Sequence, residues 1–160
     1  MLKTLLVVLL NVVAFSCFTK EIDLVKVDKS KRRLYLMANQ EVIKEYRIAL
    51  GANPQGHKKV EGDKKTPEGF YRIIAKNEES RFYRSLRIDY PNEYDASRAF
   101  SQGQNPGGDI MIHGLKNGET RAGRYVQSFD WTDGCIALLN HEMDELFDMI
   151  EVGTPIQIEW

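Results

Sequence analysis

From Ile22 onward, short runs rich in Val, Ile, Leu and Tyr alternate with turn residues: IDLVKV, RRLYLM, EVIKEYRIAL, GFYRII, SLRIDY, DIMIH, CIALL and PIQIEW. Runs of this length and composition, punctuated this way, predict β-strands. In the second, Leu34 and Leu36 fall on one face and Arg33 and Tyr35 on the other, as in a sheet packed on one side and wetted on the other. Turns at Asp28 to Lys31 and at Asn39-Gln40 make the first three strands sequential and antiparallel. One helix is predicted from His141 to Ile150, with Asn140 as N-cap and Met143, Leu146, Phe147 and Ile150 along one face. Gly153 and Pro155 stop it. The expected fold is mainly β with a minor α component, sandwich-like, with that helix in its C-terminal half. The polar, Gly-rich stretch from Tyr90 to Gly108 reads as a surface excursion with a short helix around Asp95 to Phe100. The irregular segment from Leu115 to Trp131 is a candidate lid or pocket wall.

Composition adds a compartment and removes several function classes. The chain has 160 residues, enough for one globular domain once a leader is set aside, expected over 22–160. Its 22 basic and 23 acidic residues are mixed along the sequence, so no footprint for nucleic acid stands out. At the start, Lys3 precedes an apolar run from Leu5 to Phe15, short for a membrane span and suited to a signal peptide over 1–16. Ala14 and Ser16 are small residues placed for a cut before Cys17. The AFSC stretch resembles a bacterial lipobox, and either a general or a lipoprotein-processing peptidase could make that cut. An exported protein of the periplasm or cell envelope follows, touching the membrane only through a lipid on Cys17 if that cysteine is acylated. Cys17 and Cys135 are the two cysteines, so no disulfide framework can form, and an unpaired thiol in an oxidising compartment points to a nucleophile.

A cysteine nucleophile needs a base in reach, a group that orients the base, and donors for the developing oxyanion. DIMIHG ends a strand with His113 and Gly114, and TDGC places Cys135, 22 residues later, directly after Gly134. Adjacent strand ends would bring the two side chains together. HEMDE at His141 lacks the second histidine of a zinc-protease helix, where Glu145 stands instead, and His57 reads as an exposed loop residue. No metal or other cofactor is expected.

The IHG motif, followed by Thr132, one residue, and Gly134-Cys135, resembles the signature of the L,D-transpeptidase (YkuD-type) catalytic domain family. GDKKTPEGFY at Gly62 to Tyr71 is similar to a second motif of that family, and DWTDGCIALLNHEMDEL at Asp130 to Leu146 to its ErfK-like branch. The resemblance implies a β-sandwich-like fold and an enzyme that cuts the bond after the third residue of a peptidoglycan stem peptide. It implies that Cys135 becomes a thioester and His113 acts as general base and acid. It also implies that the Gly114 carbonyl orients His113 and that the N–H groups of Gly134 and Cys135 hold the oxyanion. An amine acceptor, from another stem peptide or an envelope protein, would then resolve the acyl-enzyme. Two positions depart from the pattern. Asp133 stands where the family often has His, and Ala137 where it often has Arg or Asn, so Arg121, Arg124 or Arg84 is needed to clamp a substrate carboxylate. Thr132, Asp133 and Tyr90 complete the expected substrate contacts. Two other functions remain open on this reading: an L,D-carboxypeptidase or endopeptidase with water as acceptor, and a non-catalytic wall-binding protein.

Overall fold

A computed structural model describes residues 21–160 apart from residue 122 and the side chain of Arg124. The expected signal segment 1–16 and Cys17 lie outside the described residues.

The chain is mainly β. Its strands are β1 (Leu24–Asp28), β2 (Arg33–Ala38), β3 (Glu41–Arg47), β4 (Gly69–Ser80), β5 (Tyr83–Ile88), β6 (Met111–His113), β7 (Ile136–Ala137) and β8 (Pro155–Glu159). They form one mixed sheet in the order β3-β2-β1-β8-β4-β5-β6-β7. The predicted alternation holds in β2, where Leu34 and Leu36 are fully buried. The β2–β3 turn takes positive φ at both Asn39 (51°) and Gln40 (66°), the handedness that matches the twist of a tight hairpin.

The sandwich-like shape comes from one sheet folding back on itself. After β3 the chain continues to Ala49, whose N–H donates to the Ala137 carbonyl at 2.9 Å while the Ala137 N–H donates back at 2.8 Å. A further bridge joins Gly51 to Thr132. The margin beyond β7 is thus covered by the segment that follows β3. Between the layers sits an aliphatic core that includes Val25, Val27, Ile73, Ile112, Ile136 and Leu138.

Three helices occur among the described residues: α1 (Glu93–Ser101), α2 (Gly123–Val126) and α3 (Asn140–Met149). α1 begins earlier than its apolar pattern, because Asn92 accepts from the Asp95 N–H and closes a capping box. α3 buries Met143, Leu146 and Phe147 as expected, but Leu139, not Asn140, is its N-cap. The Glu142 carboxylate reaches back to the Leu139 N–H (3.0 Å), leaving the Asn140 side chain to accept from the Leu115 N–H (2.8 Å). CIALL yields only the two residues of β7, since the Leu138 N–H already bonds to the His113 carbonyl before the chain enters α3. β4 runs six residues past its apolar stretch GFYRII, to Ser80. This outer half is largely exposed and pairs with β5 alone, so nothing there demands apolar side chains.

Candidate active site

The two residues singled out by the sequence stand at the ends of neighbouring strands and open on the same cleft. β6 and β7 run parallel, with Ile112 opposite Ile136 and His113 opposite Ala137. Cys135 stands two residues before Ala137, so the two-residue period of a strand puts it on the face that carries His113. Both line one cleft of about 460 Å³. Its other walls include Phe82, Met111, Trp131 and Asp133.

His113 is buried (4% exposed) and its orientation is fixed. Nδ1 lies 2.7 Å from the Gly114 carbonyl, which can only accept, so Nδ1 carries the hydrogen and Nε2 is the free acceptor. Phe82 packs on the ring with centroids 4.5 Å apart, and Trp131 meets it edge-on at 5.9 Å. Gly114 cannot be larger: a Cβ there would stand 2.7 Å from Asn140 Oδ1 and 2.9 Å from Tyr83 Cβ. Burial holds the His113 pKa below its ordinary value, against the opposing pull of the Gly114 carbonyl.

Cys135 is half-buried, and its Sγ lies 3.6 Å from the Asp109 carbonyl. Burial pushes its thiol up to about 11, with Asp133 and Asp109 adding to the rise and the Met111 backbone and Lys58 opposing it. Both shifts favour the neutral forms. Each group is thereby held toward its uncharged form, a thiol and a neutral imidazole.

The turn ahead of Cys135 is held by Thr132. Its hydroxyl donates to the Cys135 carbonyl (2.7 Å) and accepts from the Gly134 N–H (3.1 Å). This corrects two expectations. Thr132 is buried with its hydroxyl engaged inside the turn, and the Gly134 N–H is directed at Thr132, which leaves the Cys135 N–H as the donor of the expected pair. Gly134 adopts φ +134°, and a Cβ there would meet the Lys65 carbonyl at 2.7 Å. The backbone at Lys65, just before the TPEG segment, thus packs directly behind the turn that leads into Cys135, and the neighbouring Thr66 hydroxyl accepts from the Gly51 N–H at 3.0 Å.

The remaining expected substrate contacts divide. Asp133 is exposed on the cleft. Tyr90 does not reach it: the residue is 3% exposed, its hydroxyl donates to the Pro106 carbonyl (3.0 Å), and its ring packs against Tyr71. Arg121 is committed to Glu119 through both carboxylate oxygens, away from the cleft. Arg84 pairs with Asp144 at 3.2 Å and covers the Phe147 ring. The Arg124 side chain lies outside the described residues. Ala137 is 1% exposed under the Ala49 bridge, so the position that often carries Arg in the family faces no substrate here.

The 115–131 segment contributes Trp131 to the cleft, and a further wall is the β4–β5 hairpin turn with Ser80, Arg81 and Phe82. Sequence reasoning missed that wall, whose only signal was the aromatic-basic cluster RFYR after an acidic strand end. It also misplaced His57, which is half-buried. Its Nδ1 accepts from the Glu68 N–H and its Nε2 faces the buried Asp95 carboxylate, each at 3.0 Å.

A cysteine and an oriented histidine on paired strand ends of a mainly β domain define the class of the L,D-transpeptidase catalytic domain. The profile of that domain (YkuD) matches residues 22–158, and the chain belongs to this family. Among individual proteins it is similar to Escherichia coli (strain K12) "Putative L,D-transpeptidase YafK", 30% identical over 134 residues, covering 79% of this chain and 46% of that one. Among solved structures it is similar to the helical cell shape determining protein Pgp2 from Campylobacter jejuni, with TM-score 0.65 and 29% identity over 86% of this chain and 47% of that one. An Enterococcus faecium L,D-transpeptidase (C442S mutant) shares the fold at TM-score 0.58 and 19% identity, over 87% of this chain and 50% of that one. The chain spans about half the length of these relatives.

Proposed function

We propose that this protein is a peptidoglycan L,D-transpeptidase of the cell envelope, with Cys135 as nucleophile and His113 as general base and acid. The observation that carries the reading is the shared cleft, lined both by a buried imidazole whose Nδ1 is held by the Gly114 carbonyl and by a half-buried thiol. Nε2 of His113 takes the thiol proton as Sγ bonds to the carbonyl carbon of the third residue of a stem peptide. The Cys135 N–H faces the developing oxyanion. The C–N bond then breaks, the imidazolium returns its proton to the departing amine, and a thioester remains on Cys135. An acceptor amine, from a second stem peptide or an envelope protein, attacks the thioester, gives its proton to His113 and releases the sulfur, which is protonated again. Family membership and the similarity to a cell-shape protein support peptidoglycan as substrate. Lys3 and the apolar run from Leu5 to Phe15 support export, with Cys17 as the point of lipid attachment.

Intact-mass analysis after incubation with purified muropeptides tests this. A thioacyl adduct on the native chain and crosslinked dimers in the products are expected, and both should vanish in Cys135→Ala. His113→Ala should cost about 10² to 10⁴ in rate, the usual worth of general-base help. Trimmed monomers without dimers would place water as the acceptor, making the chain a carboxypeptidase or endopeptidase. No adduct and no product would leave a wall-binding protein.

A further inference from the structure

Arg81 stands apart from the other arginines whose side chains are described. Among the described residues, Arg32, Arg33, Arg84, Arg87, Arg98 and Arg121 form ion pairs with carboxylates. Arg47 and Arg72 donate to backbone carbonyls. The guanidinium of Arg81 has no such partner, neither Glu79 nor Asp133 of its own cleft, although it is exposed at the wall facing Cys135 and His113.

The turn that carries it is rigid. Asn117 donates through Nδ2 to the Ser80 carbonyl (3.1 Å), through its N–H to the Arg81 carbonyl (3.0 Å), and accepts from the Tyr83 N–H (3.0 Å). The Ser80 hydroxyl accepts from the Phe82 N–H at 3.1 Å. The next residue, Phe82, rests on the His113 ring, so the backbone at Arg81 is tied to the position of the base. A long, uncommitted guanidinium on a fixed backbone is suited to fork-like capture of a carboxylate.

We infer that Arg81 is the carboxylate-binding, specificity-determining residue of this cleft, serving where the buried Ala137 cannot. It reads a free carboxylate on the donor peptide, either the C-terminal one or one on the side chain of the third residue. The inference rests on the proposed function for its substrate, and it assigns the recognition element of that site.

The test uses a tetrapeptide stem in three forms: free acid, C-terminal amide, and third-residue side-chain amide. With the native chain, amidating the recognised carboxylate lowers kcat/KM by about 10- to 100-fold, the range of a hydrogen bond between charged groups. Arg81→Gln loses the same factor on the free acid and becomes indifferent to that amidation, and Arg81→Lys recovers part of it. The amide that reproduces the loss names the carboxylate. Equal losses of Arg81→Gln on all three peptides would overturn the inference, as would no loss at all. Calorimetric binding of the same peptides to the full chain carrying Cys135→Ala, with and without Arg81→Gln, reads recognition without turnover. Failure of the transpeptidase reading therefore shows as absent chemistry, whereas failure of this inference shows as binding that ignores Arg81.

Discussion

At the scale of single residues, burial rather than a neighbouring charge sets the state of Cys135. With its thiol near 11 and His113 held below the ordinary histidine range, Cys135 carries almost no thiolate at neutral pH. Alkylation by iodoacetamide should therefore keep accelerating into the alkaline range, and a plateau near neutrality would indicate a preformed ion pair instead. Turnover needs His113 uncharged, so the acid limb of kcat/KM should lie below pH 6.5, the unshifted histidine value, checked by a pH series on muropeptides. Gly134 is constrained twice, by its positive φ and by the backbone behind it. Gly134→Ala combines a disfavoured φ with a clash against the Lys65 carbonyl and should cost about 2–4 kcal/mol in urea denaturation.

At the scale of elements, the β1–β2 turn and the TPEG segment are joined by one buried ammonium. Lys29 is fully buried, and its Nζ donates to the Thr66 carbonyl (2.8 Å), the Gly56 carbonyl (2.9 Å) and the Glu68 carboxylate (2.9 Å). Because Thr66 and Lys65 back the nucleophile turn, Lys29→Met should do more than loosen a hairpin. It strands two carbonyls, which predicts about 2–4 kcal/mol lost in denaturation and a slower acylation of Cys135 in the protein that still folds. Nothing in the one-dimensional pattern separates Lys29 from a solvated turn lysine, since its three partners lie 27 to 39 residues away. The same contrast runs through the molecule. All eight strands found among the described residues were legible as short apolar and β-branched runs between turn residues, with one-face burial alternating plainly in β2 and β8. The convergence of Cys135 and His113 on one cleft was legible because each carries a short motif at a strand end. The spending of the Gly134 N–H on Thr132, the withdrawal of Tyr90 into the core and the approach of the β4–β5 turn to the cleft were not. Each is decided by contacts between distant segments that leave no period and no motif.

At the scale of the whole molecule, acid should act in two stages. Burial depresses the folded-state pKa of His57, overcoming Asp95, as it does that of His113. The unfolded chain therefore takes up protons near pH 6.5 that the folded chain refuses, and this part of the stability, full above that value, declines as pH falls through it. Asp28 supplies the second stage. Burial pushes its pKa upward, but hydrogen bonds from Lys31 and Ser30 outweigh that and hold it near 2, so its contribution persists above pH 4 and disappears as pH drops toward 2. Urea midpoints measured from pH 8 to pH 3 should show both declines, and His57→Gln should flatten the first. The mutual bonding of Ala49 and Ala137 bears on colloidal behaviour. With that margin covered, β3 is the outermost strand, and it offers strangers a row containing Lys44, Glu45 and Arg47. Such a border is a poor template for pairing with a neighbouring copy. Neutral, β-branched residues at Lys44 and Glu45 would convert it into an adhesive one, to be seen by light scattering as concentration-dependent self-association.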